Sequence, residues 1–222
     1  WVSGSTALPA TLAGETPTFE APSFDALMAS GVNTATYEVT ATDGELTSPP
    51  QRVLVAVAPG AGWVIVSPGA NASDAGTCGT RTQPCATPHR AKEIIDPDNN
   101  GAGDGRGILI TSGNFRFDWS KGAFAVPGGT RVLGGRDPVT FAASSMSELR
   151  HVQYCGGVRD GILLGPNATN VTIDRIRFVN DNDCDGPDFT ALRCNGCSAV
   201  ITDSEFVQTD RLTNRAAGMI VN

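Results

Sequence analysis

Two short acidic stretches carry the residues best suited to chemistry. In DNDCDGPD, residues 181–188, Asp181, Asp183 and Asp185 stand at positions one, three and five, with Gly186 next and Asp188 closing the stretch. In DPDNNGAGD, residues 96–104, Asp96, Asp98 and Asn100 repeat that spacing ahead of Gly101, and Asp104 ends it. Oxygen ligands on alternate residues wrap a loop around a hard cation, and the Gly permits the sharp turn, as in calcium loops. Crowded carboxylates repel one another unless a cation compensates. Neither stretch is an EF-hand, because position twelve holds Leu192 or Gly107 rather than Glu. Asp and Asn beside Gly also favour plain turns. The expectation is Ca2+ at one or both loops.

The six cysteines sit in loop-like surroundings. Cys78 and Cys85, in DAGTCGTRTQPCATP, read as a short loop clipped by a disulfide. A zinc site would need a second CxxC or a His pair, and His89 and His151 are isolated. No His follows the CNGC of Cys194–Cys197, which excludes attachment of a c-type haem. Disulfides imply an oxidising compartment, so the expectation is a secreted or cell-surface protein.

The elements that must position these residues show a repeat. GILLGPNATNVTIDRIRFVNDND, residues 161–183, returns as TALRCNGCSAVITDSEFVQ 28 positions later, Leu164 falling on Leu192 and Asn167 on Asn195. Val171, Ile173, Ile176 and Phe178 fall on Ala199, Ile201, Ser204 and Phe206, and one further step places Ile220 on Leu192. Apolar residues alternate with polar ones in β-branched runs broken by Gly, Asn and Asp, which is strand patterning. A period of this length marks stacked units sharing one core. Cys155 and Cys184 are almost one repeat apart and could face one another on adjacent coils, about 4.8 Å apart. Cys194 would then pair with Cys197.

The formal net charge of −7 argues against nucleic acid and against anionic membrane surfaces, both of which need basic patches. No apolar run is long enough for a membrane span. The 26 Gly and 14 Pro suit an all-β chain with many turns. Serine-nucleophile motifs, phosphate loops and dinucleotide fingerprints are absent. Trp63, Trp119, Tyr154, Phe115 and Phe117 could line a sugar platform but fit core and cap positions better. Asn71, Asn167 and Asn170 each begin an N-x-Ser/Thr sequon.

Residues 1–59 read differently from the rest. TATYEVTATDG is an alternating strand ending in an Asp-Gly turn, QRVLVAVAP is a second, and TLAG and PTFEAP are short strand-like pieces before them. The order W…SG…TLAG…PTFEAP…TYEVTATDGELTS…VLVAVAP resembles the Ig-like (PKD- and cadherin-like) β-sandwich modules of bacterial surface proteins. Such modules carry a core Trp on the third strand, so a chain starting at Trp1 lacks the first two. The expectation is a fragment of a longer chain, with β-augmentation by self-association or by a partner chain as the other reading.

After APGAG, residues 58–62, the stretch WVIVSPGANASDAGTCGTRTQPCATPHRAKEII resembles the opening of secreted bacterial pectate-lyase-like parallel β-helices. There a YVSP.G.D…G…PC.T…A segment forms the cap, and Ala86 to Ile95 would be the short capping helix. RGILITSGNF matches the first coil strand and its turn, and GGTRVLGGRDP matches the V.L.GG.D turn of these proteins. The resemblance implies a right-handed parallel β-helix over residues 60–222, continuing beyond Asn222. In pectate lyases an Arg on a coil face removes the proton α to the uronate carboxylate while neighbouring Asp residues hold calcium. Here that would use Asp174 with Arg175 or Arg177, and Asp203 on the next coil. Asp174 and Asp203, one repeat apart at roughly 5 Å, could also serve as a glycosidase pair. A solvated polar face explains the same residues.

The reading that follows is all-β: a partial Ig-like sandwich and then a capped parallel β-helix. Its function would be an extracellular stalk, fibre or adhesin stiffened by calcium. The alternatives are a calcium-dependent lyase or hydrolase of acidic polysaccharide and a non-catalytic carbohydrate-binding module.

Overall fold

The computed structural model describes residues 23–28, 34–40, 45–57, 59–117, 122–152, 160–165, 168–181, 190–208 and 217–221. The chain divides into two compact units, residues 1–60 with 139–142, and residues 61–138 with 143–222. In the first, α1 (Phe24–Met28) precedes β1 (Thr34–Val39) and β2 (Gln51–Ala56). The two strands pair antiparallel from Thr34↔Ala56 to Val39↔Gln51, and their period-2 patterning is that of strands. The TLAG and PTFEAP pieces and the Asp43-Gly44 turn lie outside the described residues.

The second unit begins with β3 (Trp63–Val66) and α2 (Pro88–Ile95). It continues through β4 (Gly107–Thr111), β5 (Gly113–Phe117), β6 (Phe124–Val126), β7 (Arg131–Arg136), β8 (Ser147–Val152) and β9 (Asp160–Leu164). It ends with β10 (Val171–Asp174), β11 (Ile176–Asp181), β12 (Thr190–Cys194), β13 (Ala199–Thr202), β14 (Glu205–Gln208) and β15 (Ala217–Val221). Three sheets result, in the orders β13-β10-β7-β4-β3, β14-β11-β8-β5 and β15-β12-β9-β6, and every pairing in them is parallel. From β4 onward the chain gives one strand to each sheet in turn.

Register stacks like residues over like. Val64, Ile108, Val132, Ile173 and Ile201 succeed one another in the first sheet. Phe115, Leu149, Phe178 and Phe206 do so in the second, and Phe124, Ile162 and Leu192 in the third. These side chains form one core cluster, with Ile201 and Phe206 partly buried against it. Strands paired on both edges hide backbone polar groups, while the inward β-branched and aromatic side chains supply the apolar area whose burial favours folding.

The repeat is confirmed where Val171 meets Ala199, Ile173 meets Ile201 and Phe178 meets Phe206. It needs correcting in the third sheet. There Leu164 pairs with Cys194 and Leu192 with Ile162, a spacing of 30, while Leu192 pairs onward with Met219 and Arg193 with Ile220. Turn length differs between sheets, so a single offset of 28 cannot align all three. GGTRVLGGRDP is another correction, because Arg131–Arg136 is strand β7 rather than a turn. Its glycines permit close approach of the next strand: a Cβ at Gly134 would lie 2.5 Å from the Arg175 carbonyl oxygen. Likewise RGILITSGNF, expected as one strand and its turn, holds strand β4 and, from Gly113, the start of strand β5.

Helix α2 starts at Pro88, two residues later than expected. Thr87 is its N-cap, with its hydroxyl accepting from the Arg90 amide at 3.2 Å, and Pro88 occupies the first turn, where its missing N–H costs nothing. Asp74 holds this start. Its Oδ1 accepts from the Ala86 and Thr87 amides at 2.9 and 3.0 Å, and its Oδ2 accepts from the Thr87 hydroxyl at 2.7 Å. The Cys78–Cys85 disulfide forms, and its loop covers the open edge of β3: the Cys85 amide donates to the Ile65 carbonyl, and Cys85's carbonyl accepts from the Ser67 amide. Covering that edge protects backbone groups that would otherwise pair with another chain.

Candidate functional site

The outward positions of the first two sheets carry the charges. On β10, Val171 and Ile173 point inward and are buried, which turns Asp174 outward by strand alternation. Its Oδ2 lies 2.9 Å from Nη2 of Arg136, and its Oδ1 accepts from the Thr202 hydroxyl at 2.8 Å. Arg136 is only 3% exposed. Burial pushes its guanidinium pKa below the ordinary arginine value; Asp174 opposes that shift and the Arg175 charge adds to it. Asp174 pairs in register with Thr202, not Asp203, which corrects the expected carboxylate pair.

Arg175 and Asp203 are corner residues between the first and second sheets, with left-handed φ of 55° and 45°. An L residue other than Gly, Asn or Asp pays about 1–2 kcal/mol for that conformation. At Arg175 it is held by three contacts. The Arg175 amide donates to the Thr202 carbonyl at 3.2 Å, its carbonyl accepts from the Ser147 amide at 3.1 Å, and Nη2 donates to the Ser144 carbonyl at 2.6 Å. Nη1 stands 3.6 Å from Asp203 Oδ2.

Arg177 lies on β11 directly between Glu148 of β8 and Glu205 of β14. Its Nη1 reaches Glu148 Oε2 and its Nε reaches Glu205 Oε2, both at 3.3 Å. Glu148 also accepts from Arg150 Nε at 3.1 Å and Nη2 at 2.8 Å. A groove of about 330 Å³ runs beside this ladder, lined by Asn114, Ser145, Met146, Glu148, Arg177 and Glu205. Of the four expected catalytic residues, Arg175 and Asp203 are brought together as an ion pair, whereas Asp174 serves Arg136 and Thr202 and Arg177 serves two glutamates. Charges of opposite sign alternate from strand to strand, which favours pairing across a sheet.

Sequence reading missed Arg136, Glu148 and Arg150. The available signal was outward placement in SELRHV and the Arg that ends VLGGR, but the partners stand on neighbouring strands at sequence spacings that change from pair to pair.

The 96–104 loop is built around one carboxylate. Asp96 is 2% exposed, accepts from the Asn100 and Gly101 amides at 2.9 and 3.2 Å, and lies 3.3 Å from Lys92 Nζ. Lys92 also bonds the Asn99 side chain, and the Asn100 side chain accepts from the Ala102 amide at 2.8 Å. Asp98 and Asp104 are exposed. Among the described residues no three His, Cys, Asp or Glu side chains converge as a metal-holding group. Asp183, Asp185 and Asp188 lie outside the described residues, as do the side chain of Asp181 and the expected Cys155–Cys184 pair. The Cys194–Cys197 disulfide forms. Trp63 is 7% exposed, with the Arg131 guanidinium 4.9 Å from its ring centroid, so it packs as a cap residue rather than as an open platform. None of the protein-family models, curated proteins or solved structures compared with this chain matches it.

Proposed function

We propose that the second unit is a right-handed parallel β-helix, that the first is part of an Ig-like module, and that the protein is an extracellular structural or adhesive scaffold. The rotation of the chain through three parallel sheets supports the helix, and parallel crossovers are overwhelmingly right-handed. One observation carries the functional reading. The outward charges are tied to fixed partners on neighbouring strands and corners, which stiffens a surface. Of the candidate reactive groups, Arg175 and Asp203 are paired with each other, while Asp174 and Arg177 are held by other residues. The Cys78–Cys85 and Cys194–Cys197 disulfides fit an oxidising, extracellular setting. Ca2+ is assigned to the 181–188 loop on the spacing of its four Asp residues.

A second reading, a carbohydrate-binding module or a polysaccharide lyase or hydrolase, draws on the groove beside Glu148, Arg177 and Glu205. Titration calorimetry with Ca2+, on the native sequence and on Asp183→Ala/Asp185→Ala, separates the readings when run beside a polyuronate depolymerisation assay. The scaffold reading predicts calcium binding and a raised Tm only with the loop intact, and no depolymerisation. Polyuronate cleavage that disappears in Arg177→Ala would establish the enzyme instead. No heat at calcium on the order of millimolar would remove the metal and leave a metal-free scaffold.

A further inference from the structure

The chain contains two Asn-Gly dipeptides, Asn100–Gly101 and Asn195–Gly196, and they sit in opposite circumstances. Asn-Gly is the dipeptide most open to spontaneous rearrangement, because no side chain on the Gly hinders attack by its amide nitrogen on the Asn side chain. In that reaction the Gly nitrogen bonds to Asn Cγ, ammonia leaves, and a five-membered succinimide forms. Water then opens either carbonyl, giving Asp or β-linked isoaspartate. Both nucleophile and electrophile must be free for this.

At Asn100 neither is free. The Gly101 amide donates to the buried Asp96 carboxylate at 3.2 Å, and the Asn100 side-chain oxygen accepts from the Ala102 amide at 2.8 Å. At Asn195 both are exposed, at the tip of the turn between Cys194 and Cys197, with Gly196 at φ 64°. The backbone amide of Asn195 donates to the Leu164 carbonyl at 3.0 Å, which leaves its side chain and the Gly196 amide without a partner among the described residues.

We propose that Asn195 is a self-modification site, converting to Asp and isoaspartate in the folded protein, and that Asn100 is protected by Asp96. Conversion places a carboxylate inside the ring closed by Cys194–Cys197, and the isoaspartate form lengthens that ring's main chain. The full chain, with disulfides intact, is incubated in mildly alkaline buffer and followed by peptide mapping that resolves isoaspartate; an Asn195→Gln chain runs beside it. The expected result is progressive conversion at Asn195, absent from the variant, with Asn100 slower by about tenfold or more, a factor equal to about 1.4 kcal/mol. After reduction and unfolding in urea the two sites should react at similar rates, since both present the same unhindered Asn-Gly dipeptide. An intact Asn195 in the folded chain, or equal rates at the two sites there, would overturn the proposal.

Discussion

Asp174 divides its carboxylate between a guanidinium almost sealed from water and a hydroxyl one strand further on. Removing one partner of such a pair is costly when the other is left buried and charged, and mild when the survivor can be solvated or bonded elsewhere. Asp174→Ala strands Arg136 and should destabilise by about 3 kcal/mol. Arg136→Met keeps the volume and leaves Asp174 its Thr202 hydroxyl and partial exposure, so the loss should be about 1 kcal/mol or less. Urea denaturation of the two variants measures the difference, and equal losses would contradict this description of the pair. Gly107 is a second informative position. It lies between Trp63 and Arg131 in register, and a Cβ there would lie 2.3 Å from the Trp63 ring, which is buried and has the Arg131 guanidinium over its face. Gly107→Ala should cost about 1–3 kcal/mol, whereas Gly62→Ala, with open space around it, should stay within about 0.5 kcal/mol. Thermal melts of the pair provide the check.

Among the elements, the start of α2 is held by a single side chain. Asp74 accepts three hydrogen bonds from residues 86 and 87, and Thr87 in turn caps the helix. Asp74→Ala should therefore lower stability by about 2 kcal/mol, read as a shift in denaturation midpoint, and Asp74→Asn should recover part of it through its remaining carbonyl oxygen. Part of this region was legible: the resemblance implied a capping helix over Ala86 to Ile95, and the Cys78–Cys85 spacing marked a clipped loop. The role of Asp74 was not, because its partners are twelve and thirteen residues away across a loop with no periodicity. Strand β7 was hidden for a different reason. Paired glycines ordinarily mark turns, but here Gly134 and Gly135 are needed for the close approach of Arg175, a contact forty residues distant that no local pattern reveals.

Over the whole molecule, stacking of strands controls which residues meet. Val64, Ile108, Val132, Ile173 and Ile201 succeed one another at intervals of 44, 24, 41 and 28 residues. Only the last interval recurs closely enough to appear as a sequence repeat, which is why residues 161–222 disclosed a repeat and the earlier strands did not. For the same reason Asp174, Arg175 and Arg177 could be recognised as outward-facing, while their partners Arg136 and Glu148, on strands at other sequence spacings, could not. The stack is tested most directly by cysteine cross-linking across adjacent strands of the first sheet. Thr172 and Val200 are in register on β10 and β13 and both face outward, at a strand separation of about 4.8 Å, within reach of a disulfide. Thr172 and Ile201 are offset by one residue and face opposite sides of the sheet. The parallel register of β10 and β13 predicts that Thr172→Cys/Val200→Cys oxidises readily within one chain and that Thr172→Cys/Ile201→Cys does not. Cross-linking of the offset pair, with the in-register pair left reduced, would contradict it.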